Sequence, residues 1–173
     1  MDANGSQVAA RVRAGSPPRL TAVPGAGTAG TRAGGTPARL VVFLGVADDA
    51  SSRVAAALLA YRAKGRVGAV SASTVTVDLD PVVVGSLAEI GVDLPRCRTR
   101  PPVPRLLEQA ELVVVMGYER DAPAAARRTE DWCIDDPRGK DADTVRCIRD
   151  AIDRRVQRLL IRLGVAVPAR RAH

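Results

Sequence analysis

At 173 residues with 46% hydrophobic content, the chain is long enough for one domain with a real core and too short for two. Its net charge of +7 comes almost wholly from Arg, but the arginines are scattered and interleaved with acids, and only Phe43, Tyr61, Tyr118 and Trp132 are aromatic. With so few platforms for base stacking, nucleic-acid binding is not expected.

Three cysteines, Cys97, Cys133 and Cys147, form neither C-x-x-C nor a Cys/His pair, and the single histidine is His173. A disulfide framework or zinc site is therefore not expected. No run of about eighteen apolar residues suggests a transmembrane helix, and the N-terminus lacks the apolar stretch of a secretory signal. The expected compartment is the cytoplasm, with no membrane partner and no cofactor.

Residues 1–38 are Gly, Ala, Pro, Thr, Ser and Arg without periodicity. Such a segment buries too little apolar surface to offset its ordering entropy, which predicts a disordered extension. The pattern sharpens at Arg39. "RLVVFLG" reads as a strand buried on both faces of a parallel sheet. Ser51 or Ser52 is placed to cap a following helix with Val54, Leu58 and Tyr61 on one face and Gly65 as its stop. "VGAVSAS" (67–73) predicts a second strand. In "DPVVVGSLAEIG" (80–91), Asp80 is an N-cap, Pro81 opens the first turn and Gly91 lies past the end. "PRLLEQA" (104–110) predicts a short helix and "ELVVVMG" (111–117) a third buried strand.

Residues 120–130 look like loop, followed by a short strand around Trp132 and Ile134. "DADTVRCIRDAIDRRVQRLLIRLG" closes the chain as an amphipathic helix, with Val145, Ile148, Ile152, Val156, Leu159 and Leu163 recurring every three or four residues. Alternating strands and helices predict an α/β fold: a three-layer, doubly wound parallel sheet of about four strands. The domain is expected over 39–164, with a tail at 165–173. Ligands of such sheets bind outside the carboxyl ends of the strands. Those ends carry the turn 45–52, the loop after Gly117 and the loop around Asp136.

Four blocks in this order resemble the low-molecular-weight protein tyrosine phosphatases and, in detail, their thiol-dependent arsenate reductase branch. "FLGVADDASS" (43–52) fits that family's loop, approximately F-L-C-T-G-N-S-C-R-S, without a gap. "DPVVVGSLAEIGVDL" (80–94) is similar to its second helix, "AELVVVMG" to a later strand, and "EDWCIDDPRGKDADTVRCIRDAIDRRVQRLL" to its W-x-x-x-D-P stretch and closing helix. The resemblance implies a loop built to bind an oxyanion, with a Cys nucleophile, an Arg and an Asp general acid.

The same resemblance implies that most of this chemistry is missing. Gly45 stands at the nucleophile position and Ser51 at the position of the loop Arg, while Tyr118 and Ala122 stand where the reductases carry further cysteines. Only Ser52 and Asp136 remain from the catalytic pattern. Elementary chemistry agrees: Gly cannot attack, and Ser supplies no fixed positive charge for an oxyanion. Asp48 and Asp49 add repulsion, since like charges 4 Å apart cost about 4 kcal/mol at an effective dielectric of 20. The expected ligand-binding loop is thus a degenerate one, comprising Gly45, Asp48, Asp49, Ser51 and Ser52.

Other candidates have plainer explanations. Cys133, flanked by Asp131, Asp135 and Asp136, is expected to be structural. Asp48, Asp49 and Asp136, with Asp135, could together hold Mg²⁺ or Ca²⁺, but a solvated helix cap at Asp48 or Asp49 and a simple turn at Asp136 explain them better, and no metal is expected. "RCRTRPPVPR" (96–105) reads as a stiff solvated connector rather than a docking strip. The expected function is a catalytically inactive arsenate reductase- or phosphatase-like protein that acts through binding or regulation, with an unknown protein partner. The alternative is an enzyme of that type with residual or altered activity, using Asp136 and an unidentified nucleophile. Arg-dependent nucleic-acid binding is a weaker third.

Overall fold

Leu40–Gly45 forms the first strand, β1, at the centre of a parallel sheet with five strands among the described residues. In this computed structural model the described residues are 39–45, 50–73, 78–94, 99–117 and 125–166. The elements that follow are α1 (Ser51–Ala63), β2 (Gly68–Ala72), α2 (Pro81–Ala88), β3 (Thr99–Arg100) and α3 (Pro104–Gln109). The chain then continues through β4 (Leu112–Met116), β5 (Thr129–Trp132) and α4 (Ala142–Arg162), and the strands lie in the order β3-β2-β1-β4-β5.

Alternation along β1 sorts its side chains into two layers. Val41 and Phe43, with Val114 and Met116 of β4, pack beneath α1 and α4 against Leu58, Leu59, Ile152 and Val156. Val42 and Val113 point the other way, onto Leu107 and Ala110 at α3. Both faces of the central strands are covered, which explains their unbroken apolar runs. The three-layer α/β architecture expected from the sequence is present, with five strands instead of about four. The extra one, β3, has two residues and pairs Thr99 with Ser71 at the sheet's edge. It lies within 96–105, so part of that stretch is strand and not connector; two residues are too few to show an alternating pattern.

Helix α1 departs from its expected single apolar face. Every residue from Val54 to Leu59 is buried, while Tyr61 is 49% exposed. The helix is held between the sheet and α4, and its alanines permit close approach on both sides. Its N-cap is Ala50, without a side-chain cap, so neither Ser51 nor Ser52 caps it. The stop is a left-handed Lys64 (φ 49°) followed by Gly65 (φ 82°).

Helix α2 follows its signature. Asp80 is the N-cap, its carboxylate accepting from the Val82 amide at 2.9 Å, and Pro81 opens the helix. Helix α4 buries Val145, Ile148, Ile152, Val156, Leu159 and Leu163 as the period requires. Its Arg149 is also buried, donating to the Ser86 carbonyl at 2.5 Å and to Glu89 at 3.0 Å, which ties α4 to α2. Among the described residues, no helix is long and apolar enough to cross a membrane. The expected disordered extension, 1–38, lies outside the described residues, as does the tail beyond Ala166.

Candidate functional site

The strand order reverses between β1 and β4, which pair in parallel with Gly45 opposite Met116. Loops leaving such a reversal diverge and open a crevice at the carboxyl edge. Gly45 is the last residue of β1 and is buried there. Asp48 and Asp49 lie outside the described residues, as do Tyr118 and Ala122.

The first turn of α1 points its hydroxyls inward. Ser51 is completely buried, and its Oγ donates to the Asp135 main-chain carbonyl at 3.3 Å. Ser52 is 1% exposed, with its Oγ 3.1 Å from the Oγ of Ser71 on β2. One serine thus joins α1 to the segment after β5, and the next joins it to the sheet. Buried hydroxyls need such partners, because an unsatisfied one carries its full desolvation cost.

Segment 133–139 forms the other wall. Trp132, buried at the end of β5, meets Phe43 edge-on with ring centroids 5.7 Å apart, and this contact anchors the segment's start. Asp136 is partly exposed and turns back on its own chain. Its Oδ1 accepts from the Arg138 amide at 3.1 Å and its Oδ2 from Arg138 Nε at 2.7 Å. Gly139, at φ 65°, donates its amide to Asp80 Oδ2 at 3.4 Å. The starts of α1 and α2 and the segment around Asp136 therefore share one edge of the sheet.

Of the sequence candidates, the structure brings together Gly45, Ser51, Ser52 and Asp136. The sequence reading missed Arg138, which clamps Asp136, and Ser71, which pairs Ser52. The order Asp-Pro-Arg-Gly was a usable turn signal for the first; nothing local marked the second. Among the described residues no group of three or more His, Cys, Asp or Glu is arranged to hold a metal ion. Cys133, expected to be a structural cysteine in a short strand, is exposed, with Sγ 3.8 Å from Asp131 Oδ1. It lies just past β5, where alternation turns it outward between buried Trp132 and Ile134.

No protein-family profile matches the chain. A curated relative, the Halobacterium salinarum protein named "Putative arsenate reductase", is 39% identical over 77 residues, covering 43% of this chain and 53% of that protein. The chain thus spans about half the length of the curated relative it matches. Among solved structures, an arsenate reductase in its reduced state superposes with a TM-score of 0.65 at 19% identity, covering 72% of this chain and 98% of the other. The thioredoxin-dependent arsenate reductase of Corynebacterium glutamicum gives 0.61 at 25% identity, covering 75% and 64%. A protein tyrosine phosphatase gives 0.57 at 19%, covering 72% and 95%. The chain carries the fold of the arsenate reductase and low-molecular-weight protein tyrosine phosphatase superfamily.

Proposed function

We propose that this chain is a non-catalytic relative of the arsenate reductases and phosphatases, acting through binding or regulation of a protein partner. The observation that carries the proposal is Ser51. At the position that the resemblance gives to the loop Arg, the side chain is wholly buried and its hydroxyl donates to the Asp135 carbonyl. An oxyanion at the mouth of α1 would meet no guanidinium from that residue. Oxyanion chemistry in water-poor sites depends on such fixed donors. Gly45 at the end of β1 supplies no thiol, and both oxygens of Asp136 are already held by Arg138. On this reading the protein works in the cytoplasm and needs neither metal nor cofactor.

The alternative, an enzyme with residual or altered activity, draws its support from Asp136 itself, a carboxylate kept at the carboxyl edge beside the start of α1. The two separate in an assay of the full chain with p-nitrophenyl phosphate, and with arsenate plus thioredoxin and its reductase. We expect no turnover, and no rise in unfolding midpoint with phosphate or arsenate. Turnover that disappears in Asp136→Asn would establish the enzyme.

A further inference from the structure

A cavity of about 310 Å³ opens at the opposite edge of the sheet, where the strands begin. Its floor is Leu112, Leu159 and Leu163, and its rim carries Arg39, Arg128 and Arg162. The volume falls at the small end of ligand pockets, roughly 300–1,000 Å³.

The three rim arginines are unequal. Arg162 is engaged by Glu130 at 2.8 Å, and Arg39 by the Leu163 carbonyl and Glu111. Arg128 stands 3.9 Å from Glu130, beyond hydrogen-bond distance, and is 66% exposed. The basic surface continues along α4. Arg154, Arg158 and Arg162 follow at i, i+4 and i+8 and are all exposed, a stripe about 12 Å long that runs into the cavity. Arg154 and Arg158 make no ion pair or hydrogen bond among the described residues. Like charges at i, i+4 weaken a helix, and the helix dipole offsets them only in the last turn. Among the described residues the fold gains no ion pair from Arg154 or Arg158. Ile161, 67% exposed, sits among these arginines.

We infer that this edge docks an acidic protein segment that carries one aliphatic side chain. The aliphatic group enters the leucine-floored cavity, and Asp or Glu residues beside it pair with Arg128, Arg154 and Arg158. Nucleic acid fits less well. Trp132, next to Glu130, is buried and offers no ring for stacking bases. A membrane surface also fits less well, because the apolar face of α4 is turned into the core and Ile161 is the one large apolar side chain of that helix left exposed. The inference is independent of catalysis at the carboxyl edge, so a turnover assay neither supports nor removes it.

The test is fluorescence anisotropy on the full chain with a dye-labelled peptide of Asp and Glu around one central Leu. Comparison probes are the same peptide with Ser for Leu and a single-stranded DNA of matching length. Saturable binding is expected at concentrations on the order of 10–100 μM. A loss of about tenfold or more is expected with the Ser peptide, and likewise in Arg154→Glu/Arg158→Glu, whose unfolding midpoint stays near that of the unmodified chain. Four results would each overturn the proposal: no saturation by about 1 mM, equal affinity for the two peptides, undiminished binding by the charge-reversed variant, or tighter binding of the DNA.

Discussion

Arg62 of α1 and Asp153 of α4 meet inside the protein as a two-point ion pair, with side chains 8% and 6% exposed. Gln157 donates a further hydrogen bond to Asp153 at 2.9 Å. The pair locks together the two helices that cover one face of the sheet. Removing one partner leaves a buried charge without compensation, whereas replacing both by apolar groups does not. Asp153→Ala should cost about 3–5 kcal/mol in urea unfolding. Arg62→Met/Asp153→Leu should cost much less, and equal losses would show that packing, not charge, holds this contact.

The buried hydroxyl pair of Ser52 and Ser71 makes a second, smaller prediction. Ser52→Ala strands the Ser71 hydroxyl and should cost about 1–3 kcal/mol. Adding Ser71→Ala should recover part of that loss, because no unsatisfied group then remains. A double-mutant cycle followed by the fluorescence of Trp132, which is buried in the fold, measures the coupling. Strict additivity would mean the two hydroxyls do not interact.

At the α2–α4 contact, Glu89 accepts from Arg146 at 2.7 Å and from Arg149 at 3.0 Å. The hydrogen bonds from the Arg146 guanidinium, joined by Arg149, lower its pKa from 4.5 to about 2. A depressed carboxylate pKa contributes stability that is fully present above about 4.5 and is lost as pH falls through about 2. Glu89→Gln should therefore be less stable than the unmodified chain at pH 6. The gap should narrow steadily below pH 4.5, read as urea midpoints across that range. A gap independent of pH would show that Glu89 acts through shape alone.

If the resemblance aligns the loop correctly, oxyanion binding can be restored. The variant Gly45→Cys/Ser51→Arg, with Asp48→Gly and Asp49→Asn, should show a midpoint that rises with phosphate, while the unmodified chain shows none. Because Ser51 is wholly buried, Ser51→Arg alone should lose about 1–3 kcal/mol from overpacking. A folded quadruple variant indifferent to phosphate would count against the alignment of 43–52.

What could be read from the sequence was what repeats along a single element. The apolar runs of β1 and β4 announced strands buried on both faces. The three-and-four spacing of Val145 to Leu163 announced which side of α4 is inside, and Asp80-Pro81 announced the start of α2. Such patterns need no knowledge of neighbours, because burial of one face is written into the element's own period.

The tertiary structure decided what depends on a partner far away in the chain. Ser51 and Ser52 look like helix caps until the sheet and the 133–139 segment close over them, with Asp135 lying 84 residues from Ser51. Tyr61 fits an apolar face until α1 packs between the sheet and α4, which buries every residue from Val54 to Leu59 and leaves Tyr61 outside. Arg62 and Asp153, 91 residues apart, carry no mark of each other in the sequence and become one buried pair only when α1 and α4 pack. The physical reason is the same in each case: periodicity fixes which way a side chain leaves its own backbone, but the fold's topology determines what it then meets.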